Sequence, residues 1–259
     1  MMNSNTKKPV VLVIAGHDPS GGAGIQADIE SIVSCECYAA TVITSLTTQN
    51  TKTVSEIIPQ SVSSFEKQIQ LILEDMNIAA CKIGMIGNID LLDVVKRQLS
   101  NINVPIVFDP VLSATSGQSF LNENTYPKIF DFLPVTTVIT PNAKELRSLT
   151  GISNIDAAAN HLLKLGANSI LVTGTDEATE NVINRYYVQN EKVVEYQWER
   201  LQGLFHGSGC TLSSRISALL ALGEETKTSI EKAQAYTWNT LKHALNLGQH
   251  QLIPNRFYD

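Results

Sequence analysis

The sequence predicts an α/β fold, a mostly parallel central sheet with helices on both faces, in a single domain spanning residues 1–259. Three observations predict it. Short apolar runs rich in β-branched residues recur along the chain, the pattern of strands buried on both faces. Helical periodicity fills the intervals, so strand and helix alternate. The runs end in Gly, Pro, Asp or Asn, and no Pro/Gly-rich linker, low-complexity tract or internal repeat breaks the series.

The elements follow in order. Residues 10–14 form the first apolar run, closed by Gly16. A Gly/Pro/Ser loop leads to a helical pattern over 24–34, and residues 39–46 are again strand-like. Apolar residues at 62, 65, 69, 72 and 73 mark a helix over 62–75. A short strand over 81–85, a helix over 89–99 and a strand over 105–108 ending in Asp109-Pro110 come next. A strand over 135–140 runs into Pro141-Asn142 and a helix carrying Glu145. Residues 156–165 read as a helix stopped by Gly166, and 169–173 as a strand entering Gly174. A hairpin over 185–198 turns at Asn190 and Glu191. Two helices, over 210–222 and 229–247, close the chain, the first of them with an amphipathic pattern.

Composition narrows the function. Hydrophobic residues at 43% and charged residues at 17% describe a globular chain rather than a disordered one. A net charge of −6 argues against a nucleic-acid binder, whose footprint would be basic. No apolar run approaches the ~20 residues that span a bilayer, so no membrane partner is expected. Residues 1–9 are polar and lead into an apolar stretch too brief for a signal peptide. Cys35, Cys37, Cys81 and Cys210 form no CxxC pair, so neither a disulfide framework nor a zinc site is indicated. The chain reads as cytoplasmic.

The chemistry concentrates in His206-Gly207-Ser208-Gly209-Cys210-Thr211, just ahead of a helix. Two glycines let the backbone approach a ligand and turn sharply. The free N–H groups and positive dipole end of that helix then make an anion socket. Cys210 stands where a helix start lowers a thiol pKa, making its sulfur a candidate proton acceptor. The same six residues also read as a flexible loop before a capped helix, with a small buried thiol. In a parallel sheet ligands bind beyond the carboxyl ends of the strands. Asp109, Asn142, Gly174 and the 16–24 loop all fall there. Asn142 and Glu145 read equally as a capping box and as metal-site residues, and the two are compatible. No G-x-x-x-x-G-K-[ST] occurs, and Gly207-x-Gly209 lacks the third glycine of a dinucleotide fingerprint.

The segment from Ala15 to Asp28, AGHDPSGGAGIQAD, resembles the signature of the hydroxymethylpyrimidine/phosphomethylpyrimidine kinases of thiamine biosynthesis, members of the ribokinase-like superfamily. The resemblance continues through residues 42–50 (VITSLTTQN), 82–85 (KIGM), Asp109-Pro110-Val111, Thr140-Pro141-Asn142 with Glu145, and residues 206–212 (HGSGCTL), in the expected order over nearly the whole chain. It implies that Asp28 and Gln49 hydrogen-bond an aminopyrimidine walled by Gly16, Met85 and Val111. Met85 taken alone reads as core packing. The resemblance further implies that Asn142 and Glu145 help hold phosphates and the hydration shell of Mg2+, with Asp109 adding negative field. Asp109 and Glu145 would then reach the metal through water. Thr173 and Gly174 match positions that approach the nucleotide. Gly207, Ser208 and Gly209 match the anion hole, and Cys210 takes the place of the superfamily's aspartate base.

The reaction so implied is transfer of the ATP γ-phosphoryl group to 4-amino-5-hydroxymethyl-2-methylpyrimidine and then to its monophosphate. A homodimer is implied by the same resemblance. Pyridoxal kinase is the rival enzyme, and a non-catalytic pyrimidine sensor is the rival from outside enzymes. The sequence departs from its relatives at His17, where many carry a small hydroxyl residue, and at Thr173, where many carry a lysine. A phosphate contact and a loop-packing histidine are both open for His17. Cys35 and Cys37 also depart from the pattern, and no role is read for them.

Overall fold

The computed structural model describes residues 8–100, 102–113 and 119–258. The polar amino-terminal stretch lies outside them through residue 7. Strand β1 (Val10–His17) is essentially unexposed from Val11 to Ala15, because a layer of helices covers each of its faces. Leu12 and Ile14 enter one layer and Val11, Val13 and Ala15 the other, the alternation of a pleated strand. Helix α1 (Gly24–Val33) and strand β2 (Tyr38–Gln49) follow. Strand β3 (Val54–Pro59) has no sign in the sequence pattern. It is a mostly exposed edge strand ending in proline, so it carries no apolar run.

Helix α2 (Val62–Asp75) opens on Ser61, whose Oγ accepts from Ser64 N–H at 3.4 Å, and β4 (Ile78–Ile83) returns to the sheet. Helix α3 (Ile89–Leu99) opens on Asn88 in the same way, and β5 (Ile106–Phe108) follows it. A five-residue helix α4 (Tyr126–Phe130) precedes β6 (Val138–Ile139). Strand β6 is shorter than the 135–140 expected from apolarity, because Leu133–Val135, with Pro134 in it, forms a 3-10 turn. Helices α5 (Ala143–Thr150) and α6 (Ile155–Lys164) lead to β7 (Ser169–Val172) and the hairpin β8 (Asn181–Val188) and β9 (Val194–Glu199). Helices α7 (Ser208–Ala221) and α8 (Thr226–Lys242) complete the order, α8 ending well before the expected residue 247.

Nine strands form one sheet in the order β3-β2-β1-β4-β5-β6-β7-β8-β9. Pairings from β2 through β7 are parallel, while β3, β8 and β9 pair antiparallel at the edges. The order reverses between β1 and β4, the point where such sheets open a crevice. Helices α2 to α6 pack one apolar cluster against the sheet, and α1, α7 and α8 pack the other.

Helix α7 corrects its expected amphipathic pattern. It is enclosed by α1, α8 and the ends of β4 and β5, so Ser213, Ser214 and Ser217 are fully buried rather than wet. Their hydroxyls are spent inside, Ser217 on Ser213 O at 2.9 Å and Ser213 on Gly209 O at 3.0 Å. Among the described residues no helix is long and apolar enough to cross a membrane.

Candidate active site

The carboxyl ends of β1, β4, β5, β6 and β7 surround a cavity of about 480 Å3 that reaches from the switch point to the β8–β9 hairpin. The loop after β1 is built around Asp18. Its Oδ1 accepts from Ser20 N–H and Ser20 Oγ at 2.8 Å each, and its Oδ2 accepts from Ala23 N–H at 2.9 Å, at the start of α1. The imidazole Nε2 of His206 sits 2.7 Å from the same Oδ2. Burial pushes the Asp18 carboxyl up, but the bonds and charge from His206 and Ser20 outweigh it and hold the group down at about 2.

Two glycine loops meet at this point. Gly207 takes a left-handed conformation (φ 72°) as the residue capping α7, and a Cβ there would collide with Gly22 O and lie 2.9 Å from Ala23 Cα. The first intrahelical bond is Thr211 N–H to Gly207 O at 2.9 Å, so the amides of Ser208, Gly209 and Cys210 precede it and face the cavity mouth. Arg256 locks the arrangement from the far end of the chain. Fully buried, it donates to Gly22 O at 2.6 Å, Thr211 Oγ1 at 2.9 Å and Glu30 Oε2 at 3.0 Å.

The floor is ionic. Lys82, at zero exposure, donates to Asp28 Oδ1 at 2.8 Å. Burial works against the Lys82 ammonium, but Asp28, Cys210 and Asp109 around it keep it charged and above its ordinary value. Asp109 is pushed up to about 6 by burial and by Asp28, against Lys82 and a bond from Ser213 Oγ at 3.2 Å. Glu145 is pushed up to about 8 by burial and by Asp109, although Asn142 N–H donates to it at 2.9 Å and Leu112 N–H at 3.4 Å. Asn142 Oδ1 accepts from Glu145 N–H at 2.7 Å, so these two residues do form the capping box of α5. Cys210 corrects the expected lowered thiol. Burial raises it to about 12, because desolvation with Asp28 and Asp109 outweighs Lys82 and the Gly24 amide.

Most residues singled out from the sequence come together. Gly16, Gln49, Met85, Val111, Asp109, Asn142, Glu145 and Thr173 line the cavity, as do Gly207 to Cys210. The methyl end of Met85 packs into the space a Cβ on Gly16 would take. Two residues depart. Asp28 is fully buried behind the wall, its Oδ1 taken by Lys82 and by Ser214 Oγ at 2.7 Å, and it does not line the cavity. Gly174 turns its amide to Asn184 Oδ1 at 3.0 Å and abuts Ile183 O, which leaves it off the cavity wall. His17 lines the cavity. Asp18, Lys82, His206 and Arg256 are the residues that sequence reasoning passed over. The first three lay inside quoted motifs, whereas Arg256 has no local signal at all.

The phosphomethylpyrimidine kinase family profile matches residues 18–255. The chain belongs to that family. A hydroxymethylpyrimidine/phosphomethylpyrimidine kinase of Haemophilus influenzae is 34% identical over 257 residues, covering 95% of each chain. A Bacillus subtilis protein of the same name is 31% identical over 254 residues, covering 95% of this chain and 94% of that one. Among solved structures, a Staphylococcus aureus pyridoxal kinase in complex with ADP superimposes with a TM-score of 0.88 at 26% identity, covering 96% of this chain and 93% of that one. A phosphomethylpyrimidine kinase of Clostridium difficile gives 0.76 at 32% identity, covering 89% and 98%. The chain is therefore a kinase of the ribokinase-like fold, and the match runs across both glycine loops and the ionic floor.

Proposed function

We propose that this kinase transfers the γ-phosphoryl group of ATP to the hydroxymethyl oxygen of 4-amino-5-hydroxymethyl-2-methylpyrimidine, and then a second one to the monophosphate, in thiamine biosynthesis. The observation that carries the reading is the α7 amino terminus, three unspent amides beside Cys210 and above the Lys82 ammonium. Amides and ammonium stabilise the negative charge that develops on the transferring group. The pyrimidine would lie among Gly16, Gln49, Met85 and Val111, and the nucleotide along Asn142 and Thr173 toward the β8–β9 hairpin. In the first step the thiolate of Cys210 accepts the hydroxyl proton. With the thiol at about 12 that form is scarce at neutral pH, so the first step speeds up as pH rises. The second step has an anionic oxygen as nucleophile and needs no base.

Mg2+ fits the donors present. Asp109 and Glu145 are buried acids, Asp109 pushed up by burial and by Asp28 and Glu145 by burial and by Asp109, and a divalent cation would relieve both. Among the described residues no cluster of three His, Cys, Asp or Glu makes a complete cage, so the two carboxyls would hold the ion through water and phosphate oxygens. Bound there, it would offset charge on the phosphates. A homodimer acting in the cytoplasm completes this reading, with sedimentation as the measure of the dimer.

The test is an ADP-release assay comparing the hydroxymethylpyrimidine, its monophosphate and pyridoxal. Turnover of the first two with weak turnover of pyridoxal is expected. Pyridoxal kinase is the second reading, with the superposition on a pyridoxal kinase at 26% identity behind it, and preference for pyridoxal in that assay would establish it. Cys210→Ala should slow the first phosphorylation by about 10²–10⁴ and the second far less. Equal losses would remove the base role.

A further inference from the structure

His206 is the motif residue that phosphoryl transfer leaves without a task, and its surroundings are over-determined. Its Nε2 lies 2.7 Å from Asp18 Oδ2 and 3.3 Å from Gln49 Nε2. A ring nitrogen carries either a hydrogen or a lone pair, never both. Asp18 is an acceptor only, an ionised carboxylate that already takes hydrogens from Ser20 and Ala23. Nε2 must therefore carry the hydrogen. The imidazole lies in the space a Cβ on Gly22 would take, packed close against that backbone.

The single Nε2 hydrogen goes to Asp18, and an amide NH2 placed 3.3 Å from that hydrogen-bearing nitrogen would set donor against donor, whereas the amide oxygen there is attracted to it. Amide oxygen and nitrogen are told apart by their partners, not their shape. Proton bookkeeping places Oε1 toward His206 and the NH2 at the other end. Among the described residues no protein atom engages that other end, and Gln49 lines the cavity. We infer that His206 is a positioning residue: held by Asp18, it fixes the Gln49 amide with its NH2 turned into the cavity, so that the ring site selects a ligand presenting a ring-nitrogen acceptor. The inference rests on the pyrimidine reading above and deepens it. It also links ring recognition to the anion socket, because His206 is the residue immediately before Gly207.

Calorimetric titration of the nucleotide-free protein tests it without turnover. The probes are 4-amino-5-hydroxymethyl-2-methylpyrimidine and the two pyridine analogues in which one or the other ring nitrogen is replaced by C–H. Wild type should bind one analogue about 10- to 100-fold more weakly, the cost of leaving the amide donor unpaired. In His206→Phe that ratio should fall to within about threefold, since the amide can then turn either face outward. His206→Gln should restore much of it, because its NH2 can donate to Asp18 and to Gln49 Oε1. Should His206→Phe not fold, Asp18→Asn carries the same test, as it removes the charge that dictates the hydrogen's place. A ratio near one in wild type, or one that survives in His206→Phe or Asp18→Asn, overturns the inference and leaves the kinase reading intact. Binding with the expected discrimination but without ADP release on adding ATP overturns the kinase reading instead.

Discussion

Replacing Lys82 with Met separates what the buried ammonium does for the fold from what it does for the reaction. Both partners of the Lys82–Asp28 pair are at zero exposure, and among the described residues Asp28 Oδ2 has no hydrogen-bond partner. Methionine matches the stem of lysine but strands the carboxylate with a single donor, Ser214 Oγ. Breaking one side of such a pair costs about 3–5 kcal/mol. For a chain of this size that lowers Tm by about 6–20 °C, at 2–4 °C per kcal/mol. Removing the second charge as well should recover most of the loss, since an apolar pair of similar volume is about as stable as a buried ion pair. Asp28→Leu suits the second change, because leucine is a good helix former and Ser214 can return its hydroxyl to the turn below. The assays are thermal denaturation and kcat for the single and double variants. Stability should return in Lys82→Met/Asp28→Leu, while kcat stays down by about 10²–10³ for want of the cation facing Cys210 and Asp109. A double variant that is both stable and fully active would refute a chemical task for Lys82. A single variant that melts within about 2 °C of wild type would refute the energetics of the pair.

Gly207→Ala should cut both phosphorylations by at least about 100-fold, since it adds about 1–2 kcal/mol of left-handed strain and drives a Cβ into the Gly22 carbonyl; normal kinetics would show that this approach is not needed. Arg256→Ala should destabilise by about 2–4 kcal/mol, because Gly22 O and Glu30 lose a buried donor, and Arg256→Lys should rescue little of it; urea denaturation measures both. Asp109 and Glu145 bind their protons more tightly folded than unfolded. Their contribution is therefore complete below about pH 4 and is lost as pH rises through about 6 and then about 8. Asp18 acts oppositely, contributing above about pH 4 and losing that as pH falls toward about 2. Ligand-free Tm should thus decline between about pH 5 and 9, and Asp109→Asn should flatten the lower part of that decline.

The fold was legible wherever local periodicity and burial agree. Helices α2 and α3 have the ends expected from the sequence, and the structure adds Ser61 and Asn88 as their caps. Legibility failed where tertiary contacts decide. Strand β3 is held by pairing to β2 and shows no buried face of its own. The serines of α7 look like a solvent face, yet they are buried because their hydroxyls close on backbone carbonyls and on Asp28 and Asp109. In the site, motifs located the wall but not which member of a motif touches it. Asp28 and Asp18 lie ten residues apart in one signature, and only the sheet geometry tells that Asp18 meets the cavity while Asp28 braces Lys82. Arg256 acts across the whole length of the chain, a distance no spacing rule covers.

The same geometry accounts for why so many acids sit on this floor above their ordinary values. An empty cavity with Asp28, Asp109, Glu145 and Cys210 all ionised would gather negative charge around one ammonium, at a place meant to receive phosphates. Burial prevents that by leaving Glu145 and the Cys210 thiol largely protonated near neutrality, at about 8 and about 12, with Asp109 poised at about 6. A cation entering between Asp109 and Glu145 would reverse the balance and expel a proton, because the field that raised these acids would be cancelled by the ion. Nucleotide titrations in buffers of different ionisation enthalpy should therefore show net proton release when Mg2+ accompanies ADP and much less when it does not. Equal proton release with and without Mg2+ would place the ion elsewhere.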